Sequence, residues 1–312
     1  MLQPVEVAAP GVGDLRPGEV LVALEHGGIC GSDLPYFRAG GRPDADPGRV
    51  AQPPPGFPLH EVVGRVRASR DAGVAPGERV VGWASAADAM AELVVTAGSG
   101  LHPVGRDGGA PTVVAQPLAC VLYAVDQLGD LRGKRVVVLG LGSIGLLFAW
   151  VLRQAGAATV VGVDPVDRTA HAAVFGLDEV VVTSSREWAV SLAPQSRPEV
   201  VVEAVGHQMA TVADAVRAVA DQGTVYCFGI PVRDTYPVDL NAVVRRNLQI
   251  HGGLTRDRRS VLGRALVHLQ RFPHLAEQLV TDLRPATDAA AAFTAACTPR
   301  EGRLKTALEL GG

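Results

Sequence analysis

The chain has 312 residues, long enough for two domains with cores of their own. Hydrophobic residues make up 47% and charged residues 20%, ordinary values for a folded globular protein that exclude disordered and fibrous classes. A net charge of −3, from 29 Lys and Arg against 32 Asp and Glu, leaves no basic footprint for a phosphate backbone, so nucleic acid is not an expected partner.

The first residues, MLQPVEVAAPGVGDL, lack the basic-then-apolar pattern of a secretory signal. The apolar stretch 144–152 is about half a membrane span, so no membrane partner is expected. Cys30, Cys120, Cys227 and Cys297 are scattered and give no disulfide framework, which fits a reducing, cytoplasmic setting. The first third reads as strands and turns: 19–24 (EVLVAL) after Pro17-Gly18, 61–66 (EVVGRV), 79–81 after Pro76-Gly77, and 92–95. Between them, 38–58 holds six prolines and no periodicity, a long loop. From Gln116 the texture changes. A helix is expected over 117–128, then an apolar strand 134–139, a helix 144–154 and a strand 159–164. The alternation continues with a helix at 168–175, strands at 179–182 and 200–203, a helix at 210–219 and strands at 224–229 and 247–252. Near-continuous valine and leucine strands alternating with helices predict an α/β fold whose parallel sheet is covered on both faces. The tail gives a helix at 261–271, a polar turn, a short helix at 288–296 and a strand at 304–310.

Gly140-Leu141-Gly142-Ser143-Ile144-Gly145 follows an apolar strand and opens an apolar helix. Gly140 suits the tight turn, Gly142 lets the backbone approach a pyrophosphate, and Gly145 lets helix and strand pack closely. Asp164 ends the next strand, where a carboxylate accepts both ribose hydroxyls of NAD and repels the 2′-phosphate of NADP. Arg168 is the residue that argues for tolerance of that phosphate. NAD is the expected cofactor.

Two further motifs carry metal-type chemistry: Gly28-Ile29-Cys30-Gly31-Ser32-Asp33, and Leu59-His60-Glu61 with Gly64. Together with Pro76-Gly77-Glu78-Arg79-Val80, Gln116-Pro117-Leu118 and Ile250-His251-Gly252-Gly253, in this order, they resemble the zinc-dependent medium-chain dehydrogenases. The nearest branch is that of sorbitol, threonine and polyol dehydrogenases. The resemblance covers essentially the whole chain. It implies a GroES-like, β-rich catalytic domain (1–116 and 254–312) and a Rossmann doubly wound parallel sheet (117–253). It also implies one catalytic zinc held by Cys30 and His60, with Glu61 a ligand or a close carboxylate. Asp33 would accept a hydrogen bond from His60 and fix its tautomer, and Ser32 would take the substrate proton. Val205, in Glu203-Ala204-Val205-Gly206, and Gly229 would pass near the nicotinamide.

The chain departs from that family pattern at four places. Gln116 stands where relatives carry a third, charged ligand, so Glu61, water, Cys120 or Gln116 itself is left to complete the set. Pro35 replaces a relay histidine. Residues 82–89 run straight on to the next strand where relatives carry a cysteine-rich lobe, so no structural zinc is expected. Leu59 replaces the glycine before His60 and is expected to shift the metal loop. Tyr36, Phe57 and Trp83 flank these loops as candidate pocket walls. His251 sits where the last strand would pair with a second subunit, implying a homodimer or homotetramer.

The expected activity is NAD-dependent, zinc-assisted oxidation of a secondary alcohol on a polyol, cyclitol or sugar-like molecule to a ketone, or the reverse. Two other readings stay open: a zinc-free NAD(P)H-dependent reductase of the same fold, and a non-catalytic NAD(H)-binding protein.

Overall fold

The computed structural model describes residues 2–39, 53–105 and 108–311. Most of the predicted proline-rich loop, 40–52, lies outside the described residues. In chain order the elements are β1 (Glu19–Gly28), α1 (Leu34–Ala39), β2 (Glu61–Ser69), β3 (Arg79–Trp83), β4 (Leu93–Ala97), β5 (Leu101–Val104) and α2 (Ala115–Asp126). Then come β6 (Arg135–Leu139), α3 (Ser143–Gln154), β7 (Thr159–Asp164), α4 (Ala172–Phe175), β8 (Glu179–Val182), α5 (Ser185–Ser191), β9 (Val200–Glu203) and α6 (Met209–Ala218). The rest are β10 (Thr224–Cys227), α7 (Leu240–Arg245), β11 (Gln249–Gly252), α8 (Arg258–Arg271), α9 (His274–Leu279), β12 (Val280–Pro285), α10 (Ala289–Ala296) and β13 (Lys305–Glu309). They fall into two compact units, one of Met1–Ala119, Arg256–Pro299 and Arg303–Gly312, the other of Cys120–Thr255 and Arg300–Gly302.

In the first unit, β1 is the hub of a seven-stranded sheet. It runs antiparallel to β2 along its length and carries two partners on its other edge. β4 takes the first half, from Glu19↔Ala97 to Ala23↔Leu93, and β13 takes the second, from His26↔Glu309 to Gly28↔Ala307. Bulges at Leu21/Val22 and Leu24/His26 bend β1 between the two partners. The result is a junction at Gly28, which pairs with Glu61 at the head of β2 and with Ala307 in the middle of β13. Alternate residues Val20, Val22 and Leu24 join Val62, Val66, Val80, Leu101, Phe293 and Leu308 in the core. Each such fully buried side chain is worth about 1.5–3 kcal/mol.

The second unit is a six-stranded sheet, parallel at every pair, in the order β11-β10-β9-β6-β7-β8. Order reverses between β6 and β9, and that switch point is where open parallel sheets bind ligands. Val137, Leu139, Val163, Val201 and Val225 pack with Trp188 of α5 and Ala215 and Val216 of α6, while Val136, Val138 and Val202 are equally buried. Both faces are therefore covered, as the valine runs predict.

The structure adds elements the pattern did not reveal. The segment 168–175 is a 3-10 turn (Thr169–His171) followed by the single turn of α4, because Asp167 accepts the Thr169 N–H and draws the backbone into a local turn. The polar stretch after α8 forms α9 and β12, the latter a charged edge strand held by parallel pairing with β13. α5 had a readable signal in its capping box, Ser184 with Glu187.

α8 is fastened to the first unit by Arg259, whose Nη2 donates to Asp71 Oδ1 at 2.5 Å and to the Gly98 carbonyl at 2.5 Å, while Nε donates to the Leu101 carbonyl at 3.1 Å. A β-carbon at Gly73 would meet this guanidinium, so the turn glycine makes room for it. Arg259→Ala is expected to cost about 2 kcal/mol and to lower the melting temperature by about 5 °C in a thermal scan. An unchanged midpoint would show that α8 is held by its apolar face alone.

Candidate active site

The turn after β1 is drawn tight by its own residues. Asp33 Oδ2 accepts the Cys30 N–H at 2.9 Å, the Asp33 N–H bonds the Cys30 carbonyl at 3.0 Å, and Ile29 N–H bonds the Thr306 carbonyl of β13 at 3.0 Å. Asp33 uses its other oxygen, Oδ1, on His60 Nδ1 at 2.7 Å. That bond assigns the proton to Nδ1 and leaves Nε2 as a free donor to a metal. Across the sheet, Glu61 opens β2 fully buried. The ligand atoms of Cys30, His60 and Glu61 all lie within 4.8 Å of one another.

In this group each basic side chain faces a carboxylate. Burial by itself depresses the His60 imidazole, but the Asp33 carboxylate and the Cys30 sulfur outweigh it and hold the ring well above the usual histidine range. Burial also works against the Lys305 ammonium, yet Glu61, Cys30 and Asp33 together keep it above the ordinary lysine value. Lys305 Nζ lies 2.5 Å from Glu61 Oε2, an ion pair rather than an aligned hydrogen bond, and Oε1 is buried with no partner among the described residues. A sulfur, an imidazole and an under-satisfied carboxylate are donors that suit tetrahedral zinc.

Sequence reasoning missed Lys305 altogether. Leu59 is fully buried in the core. A β-carbon at Gly27 would lie 2.5 Å from its Cδ2, so Gly27 makes the room that the unusual leucine needs. Ser32 is half-buried, and its hydroxyl forms no hydrogen bond among the described residues. Gln116 is buried on the first turn of α2, and Cys120 falls in the second unit. Tyr36 and Phe57 stack on each other with centroids 5.4 Å apart, whereas Trp83 is covered by the Arg258 guanidinium at 5.1 Å.

In the second unit the glycine turn sits at the end of β6. A β-carbon at Gly145 would lie 1.8 Å from the Gly140 carbonyl oxygen, so α3 can press on the turn only with glycine there. Gly142 faces open space, and as the N-cap of α3 it brings no side chain to the free N–H groups of Ser143, Ile144 and Gly145. A β-carbon at Gly140 would meet Val205 Cγ2 at 2.7 Å, and one at Gly229 would meet Gly206 N at 2.1 Å, so these residues form one surface at the switch point. Glu203 anchors it from below, its Oε1 accepting from Val205 N, Gly206 N and Thr211 Oγ1 at 2.8–3.0 Å. Asp164 takes the Leu141 and Val166 N–H groups, one on each oxygen, both at 2.7 Å. Arg168 is buried and donates Nη1 to the Arg300 carbonyl at 2.8 Å.

Two known families match successive, overlapping parts of the chain. Residues 16–122 match the alcohol dehydrogenase GroES-like domain, and residues 111–310, well over half of the chain, match the glucose dehydrogenase C-terminus. The chain belongs to the zinc-dependent medium-chain alcohol dehydrogenase family. Its polyol dehydrogenase relatives include D-altritol 5-dehydrogenase of Agrobacterium fabrum, 28% identical over 91% of this chain and 90% of that protein. L-Idonate 5-dehydrogenase (NAD(P)(+)) of Escherichia coli is 28% identical over 48% of this chain and 52% of its own. Among solved structures, alcohol dehydrogenase TADH from Thermus sp. ATN1 superposes with a TM-score of 0.80 at 23% identity, covering 98% of this chain and 95% of that one, and so shares the fold. The match to a glucose dehydrogenase C-terminus adds a branch that the motifs alone did not name.

Within this family member the packing at Gly145 is a sharp test of the turn. Gly145→Ala sets a β-carbon against backbone that cannot swing aside, so it is expected to cost about 2 kcal/mol by thermal denaturation. NADH titrated by fluorescence should bind about tenfold more weakly; wild-type affinity would mean that α3 does not seat the dinucleotide.

Proposed function

We propose that the chain catalyses NAD-dependent oxidation of a secondary alcohol on a polyol, cyclitol or sugar-like substrate to the ketone, or the reverse reduction, at a single zinc held by Cys30, His60 and Glu61. The observation that carries this reading is the convergence of three chemically suitable donors within 4.8 Å, with the imidazole already oriented by Asp33. The names of the relatives, which act on altritol and idonate, support the substrate class.

A bound zinc supplies a Lewis acid that lowers the pKa of an alcohol in its open position. Asp33 holds the Nδ1 side of His60, so that Nε2 is the nitrogen turned to the metal, and it supports the ring's basicity. Ser32, with an uncommitted hydroxyl in the same turn, accepts the alcohol proton and releases it to water, since Pro35 offers no onward group. In the second unit, the N–H groups at the start of α3 would hold the pyrophosphate of NAD, and Val205 and Gly229 would lie towards its nicotinamide end. Asp164 retains a lone pair on each oxygen for ribose hydroxyls and disfavours a 2′-phosphate. A bound NAD would supply the hydride acceptor, chemistry that belongs to the cofactor. Residues 82–89 carry no second metal in this reading.

Cys30→Ser is expected to reduce bound zinc and to lower kcat/KM on the order of a thousandfold while NADH binding stays within about twofold of wild type. NAD should be preferred to NADP by about tenfold or more in kcat/KM. Wild-type turnover in Cys30→Ser would remove the metal from the mechanism.

A second copy of the chain is the proposed partner of β11. This edge strand exposes Ile250 (41%), with Val244 (69%) and Leu254 (68%) nearby, an arrangement suited to strand pairing into a homodimer or homotetramer. Ile250→Lys is expected to shift sedimentation toward the monomer; a monomeric wild type would end this part of the proposal.

A further inference from the structure

We propose that Lys305 is a built-in counter-cation of the metal centre, which holds Glu61 in competition with the metal and so sets how tightly the centre binds zinc. The inference rests on the reading of Cys30, His60 and Glu61 as zinc donors. Lys305 and Glu61 are 3% and 0% exposed, and Nζ stands 2.5 Å from Oε2. The same ammonium donates to the Ile29 carbonyl at 3.3 Å, immediately before Cys30 in the chain. Lys305 thus touches both arms that deliver donors to the cluster.

The space for this pair is built into the fold. A β-carbon at Gly28 would lie 2.2 Å from Glu61 Oε2 and 3.0 Å from Lys305 Cε. The conformation of Gly28 is open to other residues, so what glycine supplies here is volume. β1, β2 and β13 meet at this residue, and their register brings Lys305 and Glu61 to the same end of the sheet.

A buried lysine is tolerated here because the Glu61 carboxylate and the Ile29 carbonyl both meet its ammonium. With no metal present, the ammonium compensates Glu61. When a divalent ion enters, the two cations share one carboxylate in a low-dielectric site and repel each other. A lysine whose only task is to tie β13 to β2 would behave differently: removing it would weaken the fold, and zinc would bind no better than before.

The test uses Lys305→Met, which keeps length and apolar stem without charge, and Lys305→Arg, which keeps the charge. Zinc is stripped with a chelator, affinity is measured by competition with a chromophoric chelator, and thermal unfolding is followed with and without zinc. Lys305→Met is expected to bind zinc at least about tenfold more tightly than wild type. Its metal-free form should melt lower than wild type, with a larger rise on adding zinc. Lys305→Arg should stay within about threefold of wild-type affinity. Unchanged or weaker zinc affinity in Lys305→Met overturns the proposal, as does a Lys305→Met protein that stays unfolded in saturating zinc. If Lys305→Met folds only with zinc, the proposal stands. A wild-type protein that binds no zinc would overturn the metal reading itself, and this inference with it.

Discussion

Glu61 opens β2 with none of its surface in water, and burying a carboxylate is costly unless positive charge meets it inside the chain. Lys305 of β13 is that charge in the structure. Around this contact the first unit arranges much else. Gly28 has no side chain because the carboxylate passes where one would be. β1 changes partner from β4 to β13 part-way along, and the change delivers Lys305 to Glu61. Asp33, bonded to both the Cys30 amide and the His60 ring, adds a further anion and makes the turn rigid. A cluster assembled in this way is preorganised: its donors are fixed before any ligand arrives, so little ordering remains to be done on binding.

The second unit meets a different demand with backbone rather than charge. A dinucleotide phosphate needs free N–H groups and close approach, and both depend on missing side chains. Gly142 leaves the start of α3 bare, Gly145 lets the helix seat on the carbonyl of Gly140, and Gly206 and Gly229 let two loops touch at the switch point. Glu203 then satisfies three donors of its loop, so the loop holds its shape without help from a ligand. One unit concentrates charge and the other exposes amides. The reaction class proposed here needs both, the first for the alcohol and the second for the hydride acceptor.

The elements the sequence revealed most clearly are those whose cause is local. Valine-rich strands, the glycine turn, the Pro-Gly turns and the Cys30–Asp33 loop each arise from residues a few positions apart, and periodicity or turn chemistry exposes them. β12 and α9 were not legible, because VTDLRP is a strand only where β13 lies beside it. The four-residue α4 went the other way, since Asp167 offered the backbone a competing turn. Leu59 was read as a disturbance to the metal loop, and its tolerance depends on Gly27, a residue on a neighbouring strand.

From the sequence alone came the two-part α/β organisation, the dinucleotide turn, and the sulfur and imidazole from motifs at 28–33 and 59–61. The third donor could not be chosen there: Gln116, Cys120, water and Glu61 were all available on spacing. Tertiary structure brought Glu61 together with Cys30 and His60, their ligand atoms within 4.8 Å of one another, and it introduced Lys305 from the far end of the chain. The physical reason is that strand register, set by pairing and burial across the whole sheet, determines which distant residues share a small dry volume, and no local pattern encodes that meeting.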